Sequence, residues 1–179
     1  MAFDTWQYHP AQLFFHLSGL LSLIVFWYTL VKIRQQGRLS VLVVGSILSI
    51  CNVVWAFAAS LKVASVTLPM KYLFYKIELI GSAPIPSLII LLVLIYIKPD
   101  LLSRRLSVTL TVIPLITISL IWFNPGEILL QRPVTMDING YLTLEHGYTP
   151  VTSLYLTWVL FAPLAAVAML ITAPRSSVP

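Results

Sequence analysis

Five runs of mostly apolar residues, roughly 11–32, 39–61, 70–97, 106–123 and 149–173, divide this chain of 179 residues. About 20 such residues in a helix cross a hydrocarbon core, so each run predicts a membrane span. The links between runs are short except for the stretch before the fifth, at about 124–148. There the pattern changes. Val134-Thr135-Met136 and Leu142-Thr143-Leu144 flank Asn139-Gly140, a hairpin signal, and Asn124-Pro125-Gly126 marks a turn. The expectation is an all-α integral membrane protein: one domain over 1–179, a five-helix transmembrane bundle with a small hairpin between its fourth and fifth helices.

Composition strengthens that expectation. Hydrophobic residues make up 59% of the chain and charged residues 9%, with mean hydropathy +0.93. No soluble domain of this length hides so much apolar surface. The net charge of +5 reads as topology, not as affinity for nucleic acid. Lys32, Arg34 and Arg38 follow the first span, Lys98, Arg104 and Arg105 follow the third, and Arg175 follows the fifth. The opposite flanks hold fewer basic groups, and Glu127, Asp137 and Glu145 make the long loop acidic. By the positive-inside rule the N-terminus and the hairpin lie outside and the C-terminus is cytoplasmic. Trp6, Tyr8, Trp122, Phe123, Tyr141 and Tyr148 then fall at the outer ends, as headgroup anchors do. The first span lacks a basic n-region and has Asp4 before it, unlike a cleavable signal peptide. One cysteine, Cys51, gives no disulfide framework.

Polar positions inside the spans narrow the chemistry. In the second span Gly45, Ser49, Asn52, Ala56 and Ala59 share one helical side. Small residues let backbones approach and Asn52 can bond across, so this face predicts helix packing, with Ser18, Gly19 and Ser22 its counterpart in the first span. In the third span Lys71, Tyr75, Glu78 and Ser82 form a polar stripe. Intramembrane charge is costly and usually faces a bundle interior or a wet cavity. The stripe is therefore the candidate ligand-binding site, with Glu78 at its centre. Glu78 alternatively pairs with Lys71, Lys76 or a base elsewhere and only fixes helix order. Lys76 points away from Glu78 and either snorkels or meets another helix. Pro84 and Pro86 remove two backbone donors just inward of the stripe and predict a distortion there. Pro114 and Pro163 lie inside the fourth and fifth spans. His16 and His146 have no metal-ligand spacing, so neither metal nor cofactor is expected.

The third span, KYLFYKIELIGSAPIPSLIILLVLIYI, resembles the third helix of the seven-helix N-terminal sensor region of prokaryotic histidine kinases, a family well represented in archaea. Phe74 or Tyr75, Gly81, Pro86 and Tyr96 take the family's aromatic, glycine, proline and inner aromatic places. Trp55-Ala56, the Ile121–Pro125 element and Glu145-His146-Gly147-Tyr148 with Tyr155 extend the likeness over nearly the whole chain. The family carries seven helices and usually a phosphoacceptor and ATP-binding module, whereas this chain ends after its fifth span without either. The resemblance implies a truncated or stand-alone sensor-like module of a two-component system, not an enzyme. It would sit in the cell membrane, with lipid, an unidentified ligand, and a signalling protein or further copies of itself as partners. The alternatives are a small ion or solute transporter component using Glu78, and a structural subunit of a membrane complex.

Overall fold

The computed structural model describes residues 6–36, 40–97, 102–124, 130–138 and 141–172. Asp4, Arg38, Lys98, Glu127, Arg175 and the turn residues Asn139 and Gly140 lie outside these, as do the side chains of Arg132, His146 and Tyr148. The elements in chain order are α1 (Ala11–Gln36), α2 (Ser40–Ala64), α3 (Leu68–Ser82), α4 (Ile85–Ile97), α5 (Arg104–Phe123), β1 (Leu130–Ile138), β2 (Tyr141–Tyr148) and α6 (Pro150–Thr172). Among the described residues, five helical lengths, counting α3 and α4 as one, are long and apolar enough to cross a membrane.

The third span, expected at 70–97 with a distortion just inward of Glu78, runs as two helices. Pro84 cannot donate to Ile80 O, nor Pro86 to Ser82 O, and the segment divides at Ala83-Pro84 into α3 and α4. The bend stays helical in character: Ala83 N–H reaches Leu79 O at 2.9 Å and Leu88 N–H reaches Pro84 O at 2.9 Å. By contrast Pro114 and Pro163 remain inside unbroken α5 and α6. Single prolines leave fewer orphaned carbonyls than a closely spaced pair. The hydroxyls of Thr109, Thr111, Thr117 and Ser119 in α5 all bond carbonyls four residues back in their own helix, a local satisfaction that commits no neighbouring helix.

Helix ends follow their capping residues. Ser103 Oγ accepts the Leu106 N–H at the start of α5, and Thr149 Oγ1 accepts that of Thr152 before Pro150 opens α6. Asn124 closes α5 at φ 37°, left-handed, which asparagine tolerates better than most residues.

α2 is the centre of the bundle, packed on α1, α3 and α4, while α6 lies against α4. Asn52 Nδ2 donates to Ser22 Oγ at 2.6 Å and Ser18 Oγ at 3.3 Å in α1. Ser46 adds a further crossing bond, 2.8 Å to Thr29 Oγ1. Ala56 and Ala59 are buried, and Gly19 faces Ala56 and Phe57. Ser49 turns its hydroxyl back to Gly45 O of its own helix. At Gly81 the α3 backbone comes close to that of α2: a Cβ there would lie 2.5 Å from Trp55 N and 2.8 Å from Cys51 O. Two apolar clusters complete the interior. Leu79 and Ile121 gather Tyr72, Tyr75 and Tyr155 at one end, and Val93, Ile97 and Ala166 join α4 to α6 at the other. The outward faces of α1 and α6, including Phe14, Ile24, Trp27, Leu160, Phe161 and Ile171, are exposed and apolar, as surfaces solvated by lipid tails are.

β1 and β2 pair antiparallel, from Leu130 opposite Tyr148 to Ile138 opposite Tyr141, with an irregularity between Gln131 and Val134. This ribbon lies over α3 and the start of α6.

Candidate functional site

The N-terminal segment, the α2–α3 connection and the ribbon converge at one end of the bundle. Gln7 is the fastener. Its backbone N–H donates to Ala64 O at 2.6 Å, and its Nε2 donates to Val63 O at 2.8 Å and Leu142 O at 3.0 Å. Its Oε1 accepts the Leu142 N–H at 3.1 Å. Trp6 bridges Ser65 and sets its ring tilted against Phe74 at 6.2 Å, and the His9 ring meets Tyr141 edge-on at 4.4 Å. Tyr141 is thus half-buried against His9 and is not a free interfacial anchor, whereas Trp6, Tyr8, Trp122 and Phe123 are exposed.

Under this junction lies a cavity of about 300 Å³ whose wall includes Lys62, Lys71 and His9. Lys71 is 1% exposed and its ammonium donates to Lys62 O at 3.0 Å. Deeper along α3, Glu78 forms an ion pair with Lys62, reaching across from the last turn of α2. The same Lys62 ammonium stands 5.1 Å from the Tyr75 ring centre. Lys76 points the other way and donates to Trp122 O at 3.1 Å, over the Tyr72 ring at 4.8 Å. A cation there complements the carbonyl end of α5.

The predicted stripe is thereby divided in space. Lys71 lines the cavity, Tyr75 and Glu78 engage Lys62, and Ser82 lies 3.2 Å from the Tyr155 hydroxyl. Ser82 borders a separate crevice with Asn52, Trp55, Pro86 and Pro163. Eleven residues of helix rise by about 16 Å, too far for Lys71 and Ser82 to border one small cavity. Sequence reasoning left out Lys62 as the partner of Glu78 and overlooked Gln7 and His9. A polar pair immediately before the first span was their only signal. His16 Nε2 is 3.0 Å from Ser60 Oγ. No group of three or more metal-ligating side chains occurs among the described residues.

These features define a multi-pass membrane protein with a polar junction at one end of its bundle. Residues 14–179 match the family described as the N-terminal 7TM region of histidine kinase, and the chain belongs to that family. Comparisons with curated proteins and with solved structures gave no match.

Proposed function

We propose that this chain is a membrane-embedded sensory module without catalytic activity of its own, receiving a stimulus at the junction beneath the ribbon. The reading places that junction and the N-terminus outside the cell membrane. The basic ends of α1 and α5, with Lys32, Arg34, Arg104 and Arg105, then face the cytoplasm, in keeping with the positive-inside bias. The single observation that carries it is the divided third span. α3 bears Lys71 and Glu78 at the junction, and α4 continues beyond the Ala83-Pro84 bend to the opposite end. A ligand that prefers one packing of α3 against α2 shifts the population of α4 positions, because only differential affinity moves such an equilibrium. A cytoplasmic signalling protein or a second copy of the chain reads that shift. The transporter reading has less support, since Glu78 is paired with Lys62 and is not among the residues lining the cavity.

The test uses spin labels at Tyr96→Cys in α4 and Arg104→Cys in α5, in a Cys51→Ala background, with the protein in lipid nanodiscs. Glu78→Gln, which releases Lys62, is expected to move the mean label distance by roughly 2 Å, the scale of helix shifts in switching proteins. An unchanged distance distribution with unchanged expression refutes the coupling.

A further inference from the structure

We propose that the cavity beneath the ribbon binds the carboxylate of a small organic acid with a short aliphatic body. The proposal rests on reading this cavity as the input site and specifies what enters it.

Charge comes first. Among the described residues, the wall carries two ammonium groups, Lys62 and Lys71, and no carboxylate. Glu78 answers Lys62. Lys71, buried, has a neutral backbone carbonyl as its hydrogen-bond acceptor. An ammonium has three protons to donate, and a buried charge is costly unless paired. Lys71 also lies near the start of α3, a helix opening at Leu68, where free N–H groups carry partial positive charge. Both sources make the local potential positive.

Hydrogen-bonding capacity points the same way. The Gln7 Nε2 protons go to Val63 O and Leu142 O, its Oε1 accepts the Leu142 N–H, and the Thr143 hydroxyl donates to Met136 O. His9 Nδ1 accepts the Ala11 N–H at 3.1 Å, so in the neutral ring Nε2 carries the proton and is a donor. Among the described lining residues, the side-chain donors left to meet a ligand are the ammonium and imidazole N–H groups. A carboxylate is acceptor-only and makes charge-assisted bonds to such donors. An amine is repelled, and a primary amide, being neutral, gains less from the two ammonium groups than a carboxylate does.

Size and wall character select the rest of the molecule. About 300 Å³ lies at the small end of ligand pockets. Val63, Leu142 and Leu144 give part of the wall an apolar surface, which suits a short hydrocarbon chain and not a bare, strongly hydrated phosphate.

The whole chain in nanodiscs of zwitterionic lipid would be titrated calorimetrically with butyrate, butyramide, butylamine and inorganic phosphate. Butyrate is expected to bind at least tenfold more tightly than the other three. Lys71→Met should weaken butyrate at least tenfold with an unchanged far-UV circular dichroism spectrum, while Lys76→Met should not. Leu142→Trp, which fills the cavity and keeps both lysines, should also weaken it at least tenfold. Equal binding of butyramide or phosphate overturns the assignment, as does butyrate affinity indifferent to both Lys71→Met and Leu142→Trp. Loss of butyrate binding in discs containing an anionic phospholipid gives the cavity to a lipid headgroup and also overturns it. Calorimetry reads occupancy alone. A failure here leaves the helix-shift test of sensing intact, and a failure of that test leaves the acid site standing.

Discussion

Replacing Gly81 by alanine puts a methyl group where the α2 backbone already is. The added Cβ would lie 2.5 Å from Trp55 N, 2.8 Å from Cys51 O and 2.9 Å from Trp55 Cα. Ordinary contacts begin near 3.4 Å, so α2 and α3 must separate locally by roughly 1 Å, losing close-packed contact along the seam. The atoms met are main chain, so no side-chain rotation relieves the clash. Overpacking of this kind costs about 1–3 kcal/mol, and alanine's better helix propensity offsets at most about 1 kcal/mol. For a chain of this size a net loss of about 1–2 kcal/mol corresponds to a fall in Tm of roughly 2–8 °C. Cys51, the single cysteine, is part-buried in α2 beside the seam, so a thiol-reactive dye in a thermal ramp reports its opening. Gly45→Ala is the control, because its Cβ meets only Thr29 Cγ2 at 4.0 Å, and it should melt at or slightly above the parent. If Gly81→Ala melts with the parent, or Gly45→Ala falls as far, close backbone approach does not hold α2 to α3.

Three further outcomes follow from the same geometry. Glu78→Leu alone strands the Lys62 ammonium and should destabilise by about 1–3 kcal/mol, below the cost for fully buried pairs because these side chains are 23% and 15% exposed. Adding Lys62→Met should restore most of that loss in the same thermal assay, and a double variant no better than the single removes the pairing argument. Asn52→Leu gives up the bonds to Ser18 and Ser22 and should cost about 0.6–1.7 kcal/mol, with Ser22→Ala accounting for most of it in a double-mutant cycle. A membrane-impermeant thiol reagent on intact cells, again in a Cys51→Ala background, should label Glu145→Cys on the exposed ribbon and spare Arg104→Cys. The reverse pattern inverts the proposed orientation.

The five spans were legible because lipid imposes length and apolarity on each one separately, so no partner needs to be known. The disturbance near Pro84 and Pro86 was legible for a similar reason, since a missing N–H is a property of the residue itself. Its extent was not, because whether a bend divides a helix depends on what re-satisfies the carbonyls of Ile80 and Ser82. The Lys62–Glu78 pair was out of reach without the register of α2 against α3, set by the short 65–67 connection and the seating of Gly81 on Trp55. Gln7 and His9 lay in a polar lead-in with no periodicity, and their partners, Val63, Leu142 and Tyr141, are far away in sequence. Long-range fasteners of this sort leave no local trace.

Because one carboxamide holds both the α2 terminus and the second strand, the ribbon lifts from the bundle alone only by breaking its two bonds to Gln7. Raised with them intact, it draws the amino-terminal run along, like a hatch whose hinge strap is sewn to the deck. A bulky fusion ahead of Trp6 that pins this run would therefore keep the hatch shut from a distance, without touching any residue that lines the chamber below.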